Sequence, residues 1–295
     1  MSSFFEGWYF KHQKGPETLA LIAGRAREGA FLQVLTQEGA CRAEYPLSAY
    51  QKGPGRLRIG DSVFTPEGLS LSVHQNGVEL SGSLRYGRLT PIRGDIMGPF
   101  RFFPMQCRHT VVSMEHPVSG VVLLGGRELD LTGGKGYLEG DSGRSFPKSY
   151  TWVQCSAFDR DCSIMASAAH IPFAGAQFWG CICVVLLEGV EYRLATYRGA
   201  RILRRDAEQL VLAQRDLTLC VRFLEPRQGH LLAAPQRGEM VRGIREAPGA
   251  PARFEFRKGG RILFQAESQF ASCEYVDAAE NLIEERSPLH EDTTP

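Results

Sequence analysis

The 295 residues include 43% hydrophobic side chains, enough for one large core or two ordinary ones, and two domains are the expectation. Lys+Arg 34 against Asp+Glu 33 leaves a net charge of +1, so no global field draws the chain to nucleic acid or to an anionic surface. The start, MSSFFEGWYF, lacks a basic segment followed by a long apolar run, and no stretch supplies the roughly 18 uncharged apolar residues of a spanning helix; the expected location is cytoplasmic.

In chain order, FFEGWYFKHQ reads as a strand with Glu6, Trp8, Phe10 and His12 on one face and Gly7, Tyr9 and Lys11 on the other. Lys11 argues that the second face is wet and that Trp8 and Phe10 look inward. LALIAG and AFLQVLTQ follow as apolar runs separated by the polar turn RAREG, while Tyr45 to Arg58 carries no clear period. LSLSVHQNGVELSGSLRYG alternates on both sides of Asn76-Gly77, the signature of a tight β-hairpin. Gly94, Gly98, Pro99 and Pro104 then break the chain into an irregular loop carrying Phe100, Phe102 and Phe103, expected to cover a barrel mouth. CRHTVVSMEH reads as a strand with Cys107, His109, Val111, Ser113 and Glu115 on one face and Met114 and His116 on the other. The two histidines therefore point apart, and no HxH or HExxH accompanies them, so no metal site is expected.

The densest chemistry lies in LTGGKGYLEGDSGRSFPKSYTWVQC. Extended backbone over residues 136–141 sets Tyr137, Glu139 and Asp141 on one face, an acid pair and a phenol. SYTWVQC alternates again, with Tyr150, Trp152 and Gln154 together, and between the runs Gly143 and Pro147 suit a reversal beside Arg144, a candidate partner for an oxygen anion. Taken alone, a Glu and an Asp two apart beside an Arg are more often a solvated ion-pair cluster. GGKG lacks the spacing of a phosphate loop. After Trp152 the pattern starts over: SIMASAAH and QFWGCICVVLL echo TLALIAG and AFLQVL, a weak internal repeat joined near Phe146. Eight scattered cysteines form no CxxC pair, and Cys181 and Cys183 read as small core residues.

Short strands with turn signals every 8–12 residues, and no long helical period, indicate an all-β protein of two tandem lipocalin-like β-barrels, each with room for a small apolar ligand. The expected units are an N-terminal barrel over 1–146, a C-terminal barrel over 147–276, and an acidic, partly disordered tail over 277–295 with a short helix.

Four blocks, FFEGWYF, PFRFFPMQCRHTVVSMEHPVSG, GKGYLEGDSGRSFPKSYTWVQC and RILFQAESQFASCEYV, resemble in sequence and order the signature blocks of the tocopherol cyclase family, over residues 4 to about 276. The resemblance implies the same two-barrel fold, shared with carotenoid hydratases, and closure of a chroman ring on a prenylated quinol. Where the family reads Glu-Lys-Asn/Asp-Trp-Gly, this chain has Glu139-Gly140-Asp141-Ser142-Gly143, without the lysine and tryptophan. The implied reaction protonates an alkene to a tertiary cation that the phenol oxygen captures, with no metal or redox cofactor. Asp141 or Glu139 would be the acid, with its pKa raised by burial beside a second carboxylate. His109 or Tyr137 would accept the phenolic proton, and Trp8, Phe10, Tyr150 and Trp152, with Arg144, would line the substrate site. The expected partner is a small lipophilic substrate, collected by transient contact with a membrane. A hydratase acting on an isoprenoid alkene and a non-catalytic carrier of a lipophilic ligand are the alternatives.

Overall fold

The computed structural model describes residues 4–173, 175–225 and 229–278, and the expected tail and its helix lie almost entirely outside them. The chain is all β, with only three short 3-10 turns among the described residues. Alternating runs become strands where expected. At Asn76-Gly77 both residues take positive φ (52° and 75°), the geometry of a tight two-residue hairpin joining Gly68–Gln75 to Val78–Tyr86.

Two antiparallel sheets follow one after the other. The first runs in space Ala40–Tyr45, Ala30–Leu35, Glu17–Arg25, Phe5–Lys14, Gly134–Gly143, Cys107–Leu124, Val78–Tyr86, Gly68–Gln75, Ser62–Thr65, Arg56–Ile59, Tyr50–Gly53. The second runs Val190–Ala195, Ala176–Leu187, Cys162–Phe173, Tyr150–Cys155, Arg261–Val276, Glu239–Lys258, Leu217–Phe223, Gln209–Gln214, Arg201–Arg205. In each, the opening strand lies between the second strand and the last one, so the internal repeat is a repeat of topology. Each sheet curls round its own apolar core, Leu19, Leu32, Phe64 and Leu80 in the first and Ile164, Cys183, Phe254 and Phe264 in the second, giving two lipocalin-like barrels.

A third core lies between the barrels, built on their outer faces from Tyr9, Val111, Met114, Tyr137, Trp152, Met165 and Val184. It overturns the reading of the first strand. Lys11 is 2% exposed, with Nζ donating 2.8 Å to the Phe270 carbonyl of the other barrel, so the face expected to be wet is the interface. Burial lowers the Lys11 pKa to about 8. The strand Cys107–Leu124 also departs from strict alternation. Register shifts between Val111 and Ser113 and between Ser113 and His116 turn Met114 toward the interface and Ser113 toward His116, which bonds it at 3.0 Å.

Candidate active site between the barrels

Antiparallel pairing places the site. Gly134–Gly143 pairs with Phe5–Lys14 on one side and with Cys107–Leu124 on the other, setting Tyr9 and Val111 beside Glu139, and Gly7 and His109 beside Asp141. Directly opposed residues share a face, here the outer face of the first barrel. Trp8 and Phe10 stand beside Gly140 and Leu138 on the inner face, within the barrel core, and line no part of the cleft. Their expected substrate contact is corrected by the period of two that had grouped them. Arg144 is likewise corrected, since it is exposed at the turn and outside the cleft.

Tyr137, Glu139, Asp141 and His109 do come together. The His109 ring lies between the two acids, Nδ1 at 3.1 Å from Asp141 and Nε2 at 3.2 Å from Glu139, the second contact at ion-pair distance without hydrogen-bond alignment. Burial opposes the imidazolium, but the charges of Glu139 and Asp141 outweigh it and hold the His109 pKa well above 6.5. Glu139 also accepts from the Tyr137 hydroxyl and, at 3.3 Å, from Trp152 Nε1, and Asp141 accepts from the Cys107 thiol at 3.4 Å. The Tyr137 phenol is pushed well above 10 by burial and by Glu139. In this arrangement Tyr137 and His109 both present their protons to the acids.

The second barrel adds a cluster that the sequence reading did not pick out. Glu246 and Glu274 face each other across neighbouring strands. Glu246 is 0% exposed and accepts from the Tyr9 hydroxyl at 2.6 Å, its other oxygen is buried without a hydrogen-bond partner, and Glu274 accepts from the Tyr150 hydroxyl. The pair sets two carboxyl groups on opposed positions of neighbouring strands, one fully buried and one half-buried. Burial and mutual charge raise both pKa values, Glu274 well above its usual range. A lone Glu inside the alternating run SQFASCEYV was the available signal for Glu274. Glu246, in REAPGAP, carried none, because its burial arises from the facing barrel.

Glu139, Asp141 and Glu274, with His109, line a cleft of about 980 Å³, counted to its open mouth, between the barrels rather than within either one; Glu246 lies behind Glu274, outside the lining. The loop 87–106 forms one wall. Instead of covering a barrel mouth it packs on the second sheet, where the Tyr197 hydroxyl donates to the Ile96 carbonyl at 3.0 Å and Phe100 stacks on Phe178 at 6.0 Å. Phe146, Tyr150 and Trp152 contribute to the aromatic lining. His109, Glu139 and Asp141 each offer a ligand atom within 4.8 Å of the others, a set with the chemistry to hold a divalent cation. To bind one, His109 would have to give up the proton its two neighbours stabilise, and Glu139 would lose its two donors, Tyr137 and Trp152.

No protein-family model matches the sequence, and no curated protein matches it. Solved structures do match in fold. An AttH-like protein from Nitrosomonas europaea aligns over 92% of this chain and 93% of its own, with a TM-score of 0.52 at 11% identity. Kievitone hydratase from Nectria haematococca aligns over 94% and 89% (TM-score 0.54, 12% identity), and CghA over 94% and 90% (TM-score 0.60, 10% identity). At these identities the likeness is one of fold, the two-barrel lipocalin-like architecture. Among the described residues no helix is long and apolar enough to cross a membrane.

Proposed function

We propose that the cleft binds a prenylated quinol and closes a chroman-type ring on it, as the resemblance to tocopherol cyclases implies. Glu274, which burial beside Glu246 favours in its protonated form, protonates the trisubstituted alkene and becomes a carboxylate. The tertiary cation is captured by the neighbouring phenol oxygen, and the phenolic proton passes to the Asp141 carboxylate. The product is an isomer of the substrate, and solvent at the cleft mouth returns the proton from Asp141 to Glu274. The supporting observation is the facing pair of Glu246 and Glu274, where burial and mutual charge favour the protonated acid, at a cleft with aromatic walls that Asp141 and Glu139 also line. Aromatic faces stabilise a cation by about 0.5–2 kcal/mol each, and Phe146, Trp152 and Tyr150 lie beside the acids. Neither metal nor redox cofactor enters this chemistry.

A second reading takes support from the shared fold with kievitone hydratase: the same cation captured by water, giving a hydrated product. A pure carrier needs only apolar walls, and three acids and an imidazolium lining the cleft would cost desolvation without serving it. Incubating the protein with a panel of prenylated quinols and weighing the products separates these readings. Unchanged mass with altered retention indicates cyclisation, and a gain of one water indicates hydration. Glu274→Gln is expected to lower kcat by 10²–10⁴-fold, the range of general acid catalysis, with the alkaline limb of the pH profile lost from what remains. Retention of substrates without any turnover would leave the carrier reading standing.

A further inference from the structure

A groove on the seam between the barrels has no part in the mechanism above. Its floor is the outer face of the strands Ala30–Leu35 and Ala40–Tyr45, where Gln33 and Arg42 stand opposite each other. Its wall is the hairpin of His230–Gln236 and the start of Glu239–Lys258, from the second barrel. About 420 Å³ of it is open to water. Leu231 and Val241 line it while 66% and 65% exposed, large apolar side chains left in solvent. The groove's charge is opposite to that of the cleft. Among the described residues its lining holds Arg42 and Arg242 and no acid, whereas the cleft lining holds three acids and neither Lys nor Arg. Arg42 pairs with the exposed Glu44 at 3.2 Å, yet its Nε is buried without a hydrogen-bond partner. Arg242 donates to the Pro147 and Lys148 carbonyls, both at 2.7 Å, so these bonds go to backbone rather than to a carboxylate.

The Lys148 contact also relates the groove to the end of the second sheet. The next residue, Ser149, accepts through Oγ from the Ala278 amide at 3.0 Å, just past the last strand and just before residues 279–295. Those residues carry Glu280, Glu284, Glu285, Glu291 and Asp292 against Arg286, with Leu282 and Ile283 directly before an acid pair. We infer that residues 279–295 dock in this groove, Leu282 and Ile283 against Leu231 and Val241, and the acids that follow against Arg42 and Arg242. Four extended residues, about 13 Å, carry the chain from Ala278 to Leu282. Arg242 is held one residue from the point of departure, so that reach is enough. The acidic cleft, lined by Pro147 of the same linker, repels the segment, and the arginines attract it. Docked, it covers the exposed apolar side chains and joins the hairpin of the second barrel to the outer face of the first, whatever reaction the cleft performs.

The last strand ends at Val276, so a protein truncated after Ala278 keeps both sheets whole. A fluorescent peptide of residues 279–295 is titrated into the truncated protein and into the full chain, and binding is read by anisotropy. A short tether gives an effective concentration on the order of 1 mM, so at a peptide Kd of about 100 µM the attached segment competes about tenfold. The truncated protein is expected to bind the peptide, and the full chain to bind it about tenfold more weakly. Arg42→Glu and Val241→Asp, each in the truncated protein, are expected to weaken the peptide about tenfold, and added salt to weaken it further. Val241 is exposed, so its variant guards against a folding defect at Arg42. No binding to the truncated protein, equal binding to both forms, or binding unchanged in both variants overturns the assignment. A full-chain dimer that truncation dissolves overturns it too, since the segment would then sit on a second copy.

Discussion

At the scale of single residues, protonation states follow from what surrounds each group. His109 sits between two carboxylates, and its removal leaves them facing each other at the cleft floor. Breaking a buried charge pair by deleting one partner costs about 3–5 kcal/mol. His109→Ala is expected to lower unfolding free energy in urea by that order, and an unchanged midpoint would mean the acids do not feel the imidazolium. His12 and His116 are the opposite case, neutral inside the first barrel. His12 Nδ1 donates to the Leu19 carbonyl at 3.1 Å while Nε2 accepts from the Tyr86 hydroxyl at 2.7 Å, the tautomer those partners dictate. Burial lowers His12 to about 3 and His116 to about 4. Stability from groups lowered in the fold is present above their unfolded pKa near 6.5 and lost as pH falls toward the folded values, at up to about 1.4 kcal/mol per pH unit for each. His109, Glu246 and Glu274 have raised values and the reverse sign, so their stability is full at low pH and lost as pH rises through those values. Thermal midpoints measured from pH 4 to 10 are expected to peak between these limits, with His12→Phe flattening the acid side.

At the scale of elements, the loop 87–106 and the bulged strand after it decide whether the cleft exists. Arg193, 6% exposed, donates to the carbonyls of Arg93 at 2.7 Å and Asp95 at 3.1 Å and pairs with Glu191 at 2.8 Å, while Glu191 accepts from the Arg93 amide at 2.6 Å. One buried guanidinium therefore fastens the loop to the second sheet. Arg193→Met is expected to destabilise the protein by about 3–5 kcal/mol and to open the loop to limited proteolysis within residues 87–106. Gly98 is the loop's second anchor: at φ 54°, with a Cβ that would lie 2.6 Å from the Tyr197 ring, Gly98→Ala should raise KM more than it lowers kcat, by moving Phe100 without touching the acids. The bulges in Cys107–Leu124 act on register, keeping both Val111 and Met114 at the interface while His116 stays inside the barrel.

At the scale of the molecule, the contacts between the two barrels predict that they unfold together. Lys11 to Phe270, Tyr9 to Glu246, the Gln33 and Ala233 pair, and Ser163 Oγ to the Met114 carbonyl at 2.6 Å all cross the interface beside its apolar core. Fluorescence and far-ultraviolet circular dichroism are expected to report coincident unfolding curves, and two separated transitions would contradict it. We place the division between the units at 146/147. A fragment 147–276 would then expose Trp152, Met165 and Val184 and bind a hydrophobic dye.

Much of this was legible in the residues alone. Period-two runs, turn signals and Asn76-Gly77 report local backbone preference, so the all-β class, the hairpin, the repeat and the shared face of Tyr137, Glu139 and Asp141 could be read without coordinates. The direction each sheet faces could not. A strand buried on both sides carries the same alternation whichever face holds the ligand, and Lys11 looked solvated because nothing local reveals the second barrel that covers it. For the same reason Trp8 and Phe10 were assigned to the site and Tyr9 was not. His109 joined the acids through pairing across some thirty residues of chain, and Glu246 and Glu274 reached them only when one barrel packed against the other. The sequence determined strands and their faces; packing between two outer sheet surfaces, a contact between residues more than two hundred positions apart, decided which of those faces became a site.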